Sequence, residues 1–208
     1  DFKVIYGVEA YLVDDLKDMI VNPKGQHLND RYVVFDLETT GFSAKSDKII
    51  EIGAVKVENG KIIDRFSTFV NPEIPIPFRI EKLTSINDEM VIDAPKIEEI
   101  LPKFMEFCKD SVMVAHNSDF DMSFIEANCK RQDLECDFTV IDTVAMSRYL
   151  IIGLGRYKLD NVAKALGIVL DHHHRAVDDA ECTALIFLKL CKMLEGKGID
   201  NLDELNRQ

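Results

Sequence analysis

The sequence predicts an α/β domain on a mixed sheet of about five strands, flanked by helices, with the first three strands antiparallel. Two observations carry this. Residues 32–70 hold three strand-like apolar runs joined by short connections. From residue 94 onward, strand-like runs alternate with segments whose apolar residues recur at helical spacing.

The elements follow in chain order. Tyr32–Leu37 reads as a buried strand, and the run IIEIGAVKV after Lys48 alternates over much of its length. Asn59-Gly60 signals a tight hairpin, and Lys61–Val70 runs back until Asn71-Pro72 stops it. Pro75 and Pro77 predict an irregular segment. A helix is expected from Ala94-Pro95, with Asp93 as its cap, through Ile97, Ile100, Leu101, Phe104 and Phe107, with a bend at Pro102. Ser111–His116 is a fourth strand, Phe120–Arg131 a helix and Phe138–Ile141 a fifth strand. Thr143–Leu150 and Leu159–Leu166 are helical. Ala176–Leu194 is the last long helix, broken by Gly196 and Gly198. The main domain is expected over 31–195. Residues 1–30 form a flank ending in the turn-rich linker Asn22–Asp30, and 196–208 a polar tail with room for one turn of helix.

The chain has 208 residues, enough for one large domain with a substantial core. No apolar run reaches the roughly 18 residues that span a bilayer, and the N-terminus carries no signal-peptide pattern. Five cysteines, none in a C-x-x-C pair, read as reduced cytosolic thiols, mostly in the core. The net charge of −12 argues against a protein that grips nucleic acid along a broad basic face. It leaves two readings: a soluble acidic surface, or acid concentrated where cations are held.

The stretch FDLETTG, Phe35–Gly41, bears on that choice. Residues two apart on a strand face the same way, so Asp36 and Glu38 project together. Two such charges about 4 Å apart repel by roughly 4 kcal/mol at an effective dielectric near 20. The pair must be solvated, partly protonated or bridged by a cation. A second acidic stretch, HNSDFD (His116–Asp121), lies at a helix start, where Asp119 and Asp121 suit the macrodipole or a cap. A third, HHHRAVDD (His172–Asp179), precedes the last helix. Adjacent histidines rarely share one tetrahedral zinc and no cysteine is near, so a structural zinc site is disfavoured.

FDLETTG, HNSDFD and HRAVDD, in this order and spacing, resemble the three motifs of the DnaQ-like DEDDh 3′–5′ exonucleases. The resemblance runs from about Tyr32 to Leu194. It implies a ribonuclease H-like fold and two divalent metal ions, Mg²⁺ or Mn²⁺. Asp36, Glu38, Asp121 and Asp179 become the metal-holding acids, and His174 the base that takes a proton from water. Asp179 is chosen over Asp178 because it lies five positions after His174, as in the family pattern. Asp142 matches a further family acid behind the ligands, and equally suits a cap on the helix that follows. Thr39, Thr40 and Gly41, together with His116, Asn117 and Phe120, are implied around the terminal nucleotide. Arg148, Arg156 and Lys158 are the nearest candidates for phosphate contacts.

Two further stretches, IYGVEAYLVDD (Ile5–Asp15) and GKGIDNLDELNRQ (Gly196–Gln208), resemble the flanks of the exonuclease in the PolC-type DNA polymerase III alpha subunits. There the exonuclease is inserted within a PHP domain. Glu9 resembles a PHP metal ligand and is expected to be idle here, without the rest of that site. The resemblance implies proofreading of a DNA 3′ end with release of 5′-mononucleotides. It implies as partners the polymerase and PHP parts of the same parent chain and, through the parent, the replisome clamp, with no membrane involved. The implied location is the bacterial cytoplasm, at the nucleoid. An RNA-trimming exonuclease of the same catalytic set and a non-catalytic binding module of the same fold are the alternatives. The second would lack one of the five catalytic residues, and none is missing.

Overall fold

A computed structural model describes residues 18–28, 30–169 and 175–207. Six strands form one sheet: β1 (Ile20–Val21), β2 (Tyr32–Thr39), β3 (Ile49–Glu58), β4 (Lys61–Phe69), β5 (Val112–Ala115) and β6 (Val140–Asp142), in the order β1-β6-β5-β2-β3-β4. β2, β3 and β4 form the expected antiparallel meander. Asn59 and Gly60 both take positive φ (51° and 72°), the backbone a two-residue hairpin demands. β5 and β6 add in parallel beside β2.

The expected five strands are therefore six. The extra one, β1, is two residues long and pairs antiparallel with β6. It is too short to show any alternation. Its backbone is closed on the far side by Asn206, whose amide accepts from the Ile20 N–H (3.1 Å) and donates to the Ile20 carbonyl (2.7 Å). The tail read as polar is docked: a 3₁₀ helix, Leu202–Arg207, buries Leu202 and Leu205 completely. Their i, i+3 spacing puts both on one side of that helix. Ile20, Leu28, Ile199, Leu202 and Leu205 thus share one core with β2 and the last helix.

The helices are α1 (Phe78–Thr84), α2 (Asp88–Val91), α3 (Ile97–Cys108), α4 (Ser118–Arg131), α5 (Thr143–Leu150), α6 (Leu159–Ala165) and α7 (Ala176–Glu195). The segment expected to be irregular holds α1 and α2. Pro77 stands at the N-cap of α1, and the Asn87 side chain accepts from the Met90 N–H to cap α2. α3 starts at Ile97, three residues later than expected, and Asp93 is not its cap. Its approach is held extended, because the Asn71 N–H donates to the Pro95 carbonyl and Asn71 bridges Lys96.

Two cores sandwich the sheet. Val33, Phe35 and Leu37 of β2 face α3 and α4, through Phe104 and Phe124. Tyr32 and Val34 face the other way, toward Phe187, Leu190 and Leu194 of α7. Asp36 and Glu38 continue that second face, so whatever answers their charge comes from the α7 layer. Among the described residues no helix is long and apolar enough to cross a membrane. The five cysteines are free and four are buried.

Candidate active site

β2 is an interior strand, and its last residues outrun β5. The parallel pairing ends at Val34 opposite Val114, which leaves the Leu37 N–H without a ladder partner. Asp121, in the first turn of α4, fills the gap: its Oδ1 accepts from Leu37 N at 3.1 Å. One side chain thereby ties α4 to the strand between Asp36 and Glu38. α4 itself begins at Asn117, which takes a left-handed backbone (φ 71°) and no side-chain cap. Asp142 holds that turn. Its Oδ1 accepts from Asn117 N (3.1 Å) and from Val144 N (2.8 Å), so it caps α5 and braces the second motif at once.

Asp179 arrives from α7. Three side chains, Asp36, Glu38 and Asp179, each offer a carboxylate oxygen, and these oxygens lie within 4.8 Å of one another. Asp178 is not part of the group. All three acids are half-buried, and Asp121 beside them is buried. Burial, then the charges of Asp121, Glu38 and Asp179, hold the Asp36 carboxyl well above its ordinary range. Burial and then Asp179 push Glu38 up to about 7. Burial pushes Asp121 up to about 8, against the opposing pull of the Leu37 N–H. An all-oxygen set of this charge and spacing fits a hard divalent cation.

Two residues that sequence reasoning passed over explain how Asp179 gets there. Glu51 interrupts the apolar run of β3 and is fully buried, directly opposite Glu38. Its carboxylate accepts from Arg175 Nε (2.8 Å), from Arg175 Nη2 (2.7 Å) and from the Ala176 N–H (3.1 Å), so it caps α7 from the sheet. The Arg175 guanidinium also lies 4.6 Å from the centre of the Phe69 ring. Gly53, opposite Asp36, lies against the first turn of α7: a Cβ there would stand 2.0 Å from Val177 N. An acid inside an apolar strand, two residues before a glycine, was the available signal for both.

The turn after β2 is braced from within. Thr39 Oγ1 donates to the Gly41 carbonyl (2.6 Å), and the Lys48 N–H donates to Thr40 Oγ1 (2.9 Å). The Thr40 N–H is itself taken by the Lys48 carbonyl. A side chain on Gly41 would meet the Asp47 carboxyl at 2.5 Å. Phe42, next in the chain, is 70% exposed, and its ring lies 6.3 Å from that of Phe120. Phe120 is among the residues the resemblance implies, but its partner Phe42 was missed, since one exposed phenylalanine in a loop has no periodicity to show it.

His116 spends both ring nitrogens inside the protein. Nε2 lies 2.9 Å from the Tyr157 carbonyl and Nδ1 lies 2.9 Å from Thr143 Oγ1. A carbonyl only accepts, so Nε2 carries the proton, and burial lowers the pKa and keeps the ring neutral. His116 and Asn117 line a cleft of about 980 Å³ on the α5 side, and Phe120 is not among its lining residues. His174, expected as the proton acceptor, lies outside the described residues, as does Glu9.

The family profile described as Exonuclease matches residues 33–187, most of the chain. This chain belongs to that exonuclease family. A PolC-type DNA polymerase III from Caldanaerobacter subterraneus subsp. tengcongensis is 52% identical to it over 204 residues, 98% of this chain and 15% of that protein. The exonuclease-family chain thus spans a small part of the length of its relative. Among solved structures, Exonuclease X in complex with 5′ overhanging duplex DNA superposes with a TM-score of 0.64 at 28% identity, over 85% of this chain and 98% of that one. The nuclease domain of 3′hExo, a DEDDh family member bound to rAMP, gives a TM-score of 0.69 at 22% identity, over 79% and 92%, and shows the shared fold. That fold is the ribonuclease H-like α/β fold of the DEDDh exonucleases.

The acid cluster makes a linkage prediction for the metal-free exonuclease domain. Glu38 (ordinarily 4.5, here about 7) and Asp121 (ordinarily 3.8, here about 8) keep protons in the folded state that the unfolded chain has released. Stability from these groups is full below their ordinary values and is lost as pH rises through about 7 to 8. A divalent cation offsets the loss. The rise in Tm on adding Mn²⁺ over chelator is therefore expected to be small at pH 5 and several degrees larger at pH 8. Taking the difference between metal and chelator removes titrations elsewhere, such as His116. A metal effect that shrinks as pH rises would contradict the site.

Proposed function

We propose that this chain is a 3′–5′ exonuclease that hydrolyses the last phosphodiester bond of a DNA strand and releases nucleoside 5′-monophosphates. In this reading it is the proofreading domain of a PolC-type replicative polymerase. The observation that carries it is the meeting of Asp36 and Glu38 from β2 with Asp179 from α7, next to the buried Asp121. The similarity of nearly all of this chain to a part of a PolC-type polymerase supports DNA as substrate. The division into a flank (1–30), an exonuclease domain (31–195) and a tail (196–208) belongs to the same reading. So do its partners, the polymerase and PHP parts of the parent chain and through them the clamp, and its place in the bacterial cytoplasm.

Asp36, Glu38, Asp121 and Asp179 would hold two divalent ions, Mg²⁺ or Mn²⁺. Bound there, the ions supply Lewis-acid stabilisation of the phosphoryl oxygens and make water acidic enough to attack near neutral pH. The chain's own residues do the rest. Asp121 fixes the strand end through Leu37, so the β2 acids keep their direction. Glu51 and Arg175 anchor the start of α7, so Asp179 keeps its reach. His174 immediately precedes Arg175, and in this reading it is the base that takes the proton of the attacking water. Phe42 and Phe120 offer aromatic faces for the terminal base, which any base can use.

The test is a 5′-labelled single strand of DNA and a matched RNA, with Mg²⁺ or Mn²⁺ and with chelator. Metal-dependent shortening of DNA from its 3′ end, with RNA cut much more slowly, is expected. Equal or faster loss of RNA would replace this reading with an RNA-trimming one.

A further inference from the structure

Arg131 is the last residue of α4, at the end away from Asp121. Its contacts lie far off in sequence. Nη2 donates to the Ala44 carbonyl at 2.9 Å and to the Lys45 carbonyl at 3.4 Å, and Nη1 donates to Asn128 Oδ1 at 3.3 Å. Asn128 is buried, and its own Nδ2 donates to the Phe124 carbonyl (2.8 Å), so the guanidinium is oriented from a fixed point on its helix. A planar fork suits the task, with one arm on Asn128 and the other on the two carbonyls.

The segment it holds is the loop 42–47. At the base of that loop, Thr40 and Lys48 are paired through the Thr40 N–H (2.8 Å) and through Thr40 Oγ1 (2.9 Å). Within it, the Ser43 N–H donates to Asp47 Oδ2 (2.9 Å) and the Asp47 N–H donates to the Ser43 carbonyl (2.7 Å), which closes 43–47 into one compact turn. A closed turn on a two-stranded base can still rock as a unit. Arg131 ties its outer part to α4, and Ala44 packs against the core that α3 and α4 share with the sheet.

The helix turns this tie into a position for Phe42. Arg131 follows Phe120 by three turns of helix and about 20°, so both stand on one stripe of α4, about 16 Å apart along its axis. Phe42 meets the near end of the stripe, with its ring 6.3 Å from that of Phe120, while Ala44 and Lys45 meet the far end. The loop therefore lies along α4 and is clipped at both ends. The Phe120 ring is backed by the fully buried Phe124 at 5.3 Å, so it stays where the core puts it. Phe42 is 70% exposed, and its place depends on the loop that carries it.

We propose that Arg131 is a positioning residue for the substrate: by holding Ala44 and Lys45 on α4 it fixes Phe42 beside Phe120, and so sets the grip on the terminal base without touching it. The inference rests on the exonuclease reading above, in which those two rings face that base. The step it governs is binding rather than chemistry. Asp121 is tied to β2 by a separate bond at the opposite end of α4, so the acids do not depend on Arg131.

The test is KM and kcat for Arg131→Ala, Phe42→Ala and the double variant on one 5′-labelled DNA strand with Mn²⁺. Phe42→Ala is expected to raise KM about fivefold or more and Arg131→Ala about threefold or more, each with kcat within about twofold. The double variant should be no worse than Phe42→Ala, because Arg131 acts through that ring. Arg131→Lys still reaches a carbonyl with its single head and should recover part of the loss. An unchanged KM in Arg131→Ala would overturn the inference. Losses that multiply in the double variant would do the same, since Arg131 would then meet the strand itself. A fall in kcat, or a raised Mn²⁺ midpoint for Tm, would show that Arg131 serves only to hold α4 and would also overturn it. A second readout needs no cleavage. The chain has no tryptophan, so Phe42→Trp puts a single reporter on the loop. Adding Arg131→Ala should lower the reporter's fluorescence anisotropy in chelator, and its titration with a thymidine dodecamer should need at least about threefold more DNA. No cleavage by the parent, with both of these shifts seen, would count against the proposed function alone. Cleavage with neither shift would count against Arg131 alone.

Discussion

Asp179→Asn is expected to lower metal-dependent shortening of a DNA strand at least about 10³-fold, while Asp178→Asn keeps it within about fivefold. The two residues are adjacent, of the same type and in the same helix turn. Their difference is direction. Successive helix residues diverge by about 100°, so only one of them can look at the sheet. Asp179 brings its oxygen within 4.8 Å of those of Asp36 and Glu38, and Asp178 does not. The asparagine at 179 keeps the shape, removes the charge and turns an N–H₂ toward the cations. At 178 the loss is one favourable charge at the helix N-terminus, about 0.3–1 kcal/mol of stability. The rates of both variants on one labelled strand decide the matter. Loss at 178 with survival at 179 would reverse the ligand assignment and, with it, the spacing from His174.

The spacing argument and the geometry agree here for a physical reason. The acids on β2 were legible because a two-residue repeat on a strand allows one arrangement, both on one face. Asp121 was legible as an acid at a helix start, although its bond to the Leu37 N–H needed the knowledge that β5 stops short. The helix Thr143–Leu150 was readable to the residue, since Asp142 caps it and eight residues of helical spacing follow. β1 and the docked tail were not. Two residues of strand carry no period, and Leu202 and Leu205 stand out only once a surface is there to receive them. The helix at Ile97 was placed early because Pro95 suits a first turn, whereas Asn71 holds it in a bridge. The substrate side was least legible. His116 looked like a ligand for the nucleotide, yet its ring is a strut under the Tyr157 loop, a role that depends on a partner 41 residues away.

Gly53 supplies the other large effect, and its sign is informative. Glycine inside a strand ordinarily weakens it, so Gly53→Ala would stabilise by roughly 0.5–1 kcal/mol on backbone grounds. The structure reverses this. The added methyl would stand 2.0 Å from Val177 N and 2.1 Å from Ala176 C, both backbone atoms of the first turn of α7. Neither can rotate aside, so the helix start must move off the sheet. That motion strains the Ala176 N–H and Arg175 contacts to the buried Glu51 and carries Asp179 away from Asp36 and Glu38. Overpacking of this severity costs about 3 kcal/mol, which in a domain of this size lowers Tm by roughly 6–12 °C. The same displacement widens the acid cluster, so the Mn²⁺ concentration that half-restores Tm should rise at least about tenfold. A Gly53→Ala protein that melts at or above the parent temperature and takes up Mn²⁺ at the same midpoint would show that the glycine does not set the approach of α7. A lowered Tm with an unchanged midpoint would separate the two claims, leaving the packing argument intact and removing Gly53 from the control of Asp179.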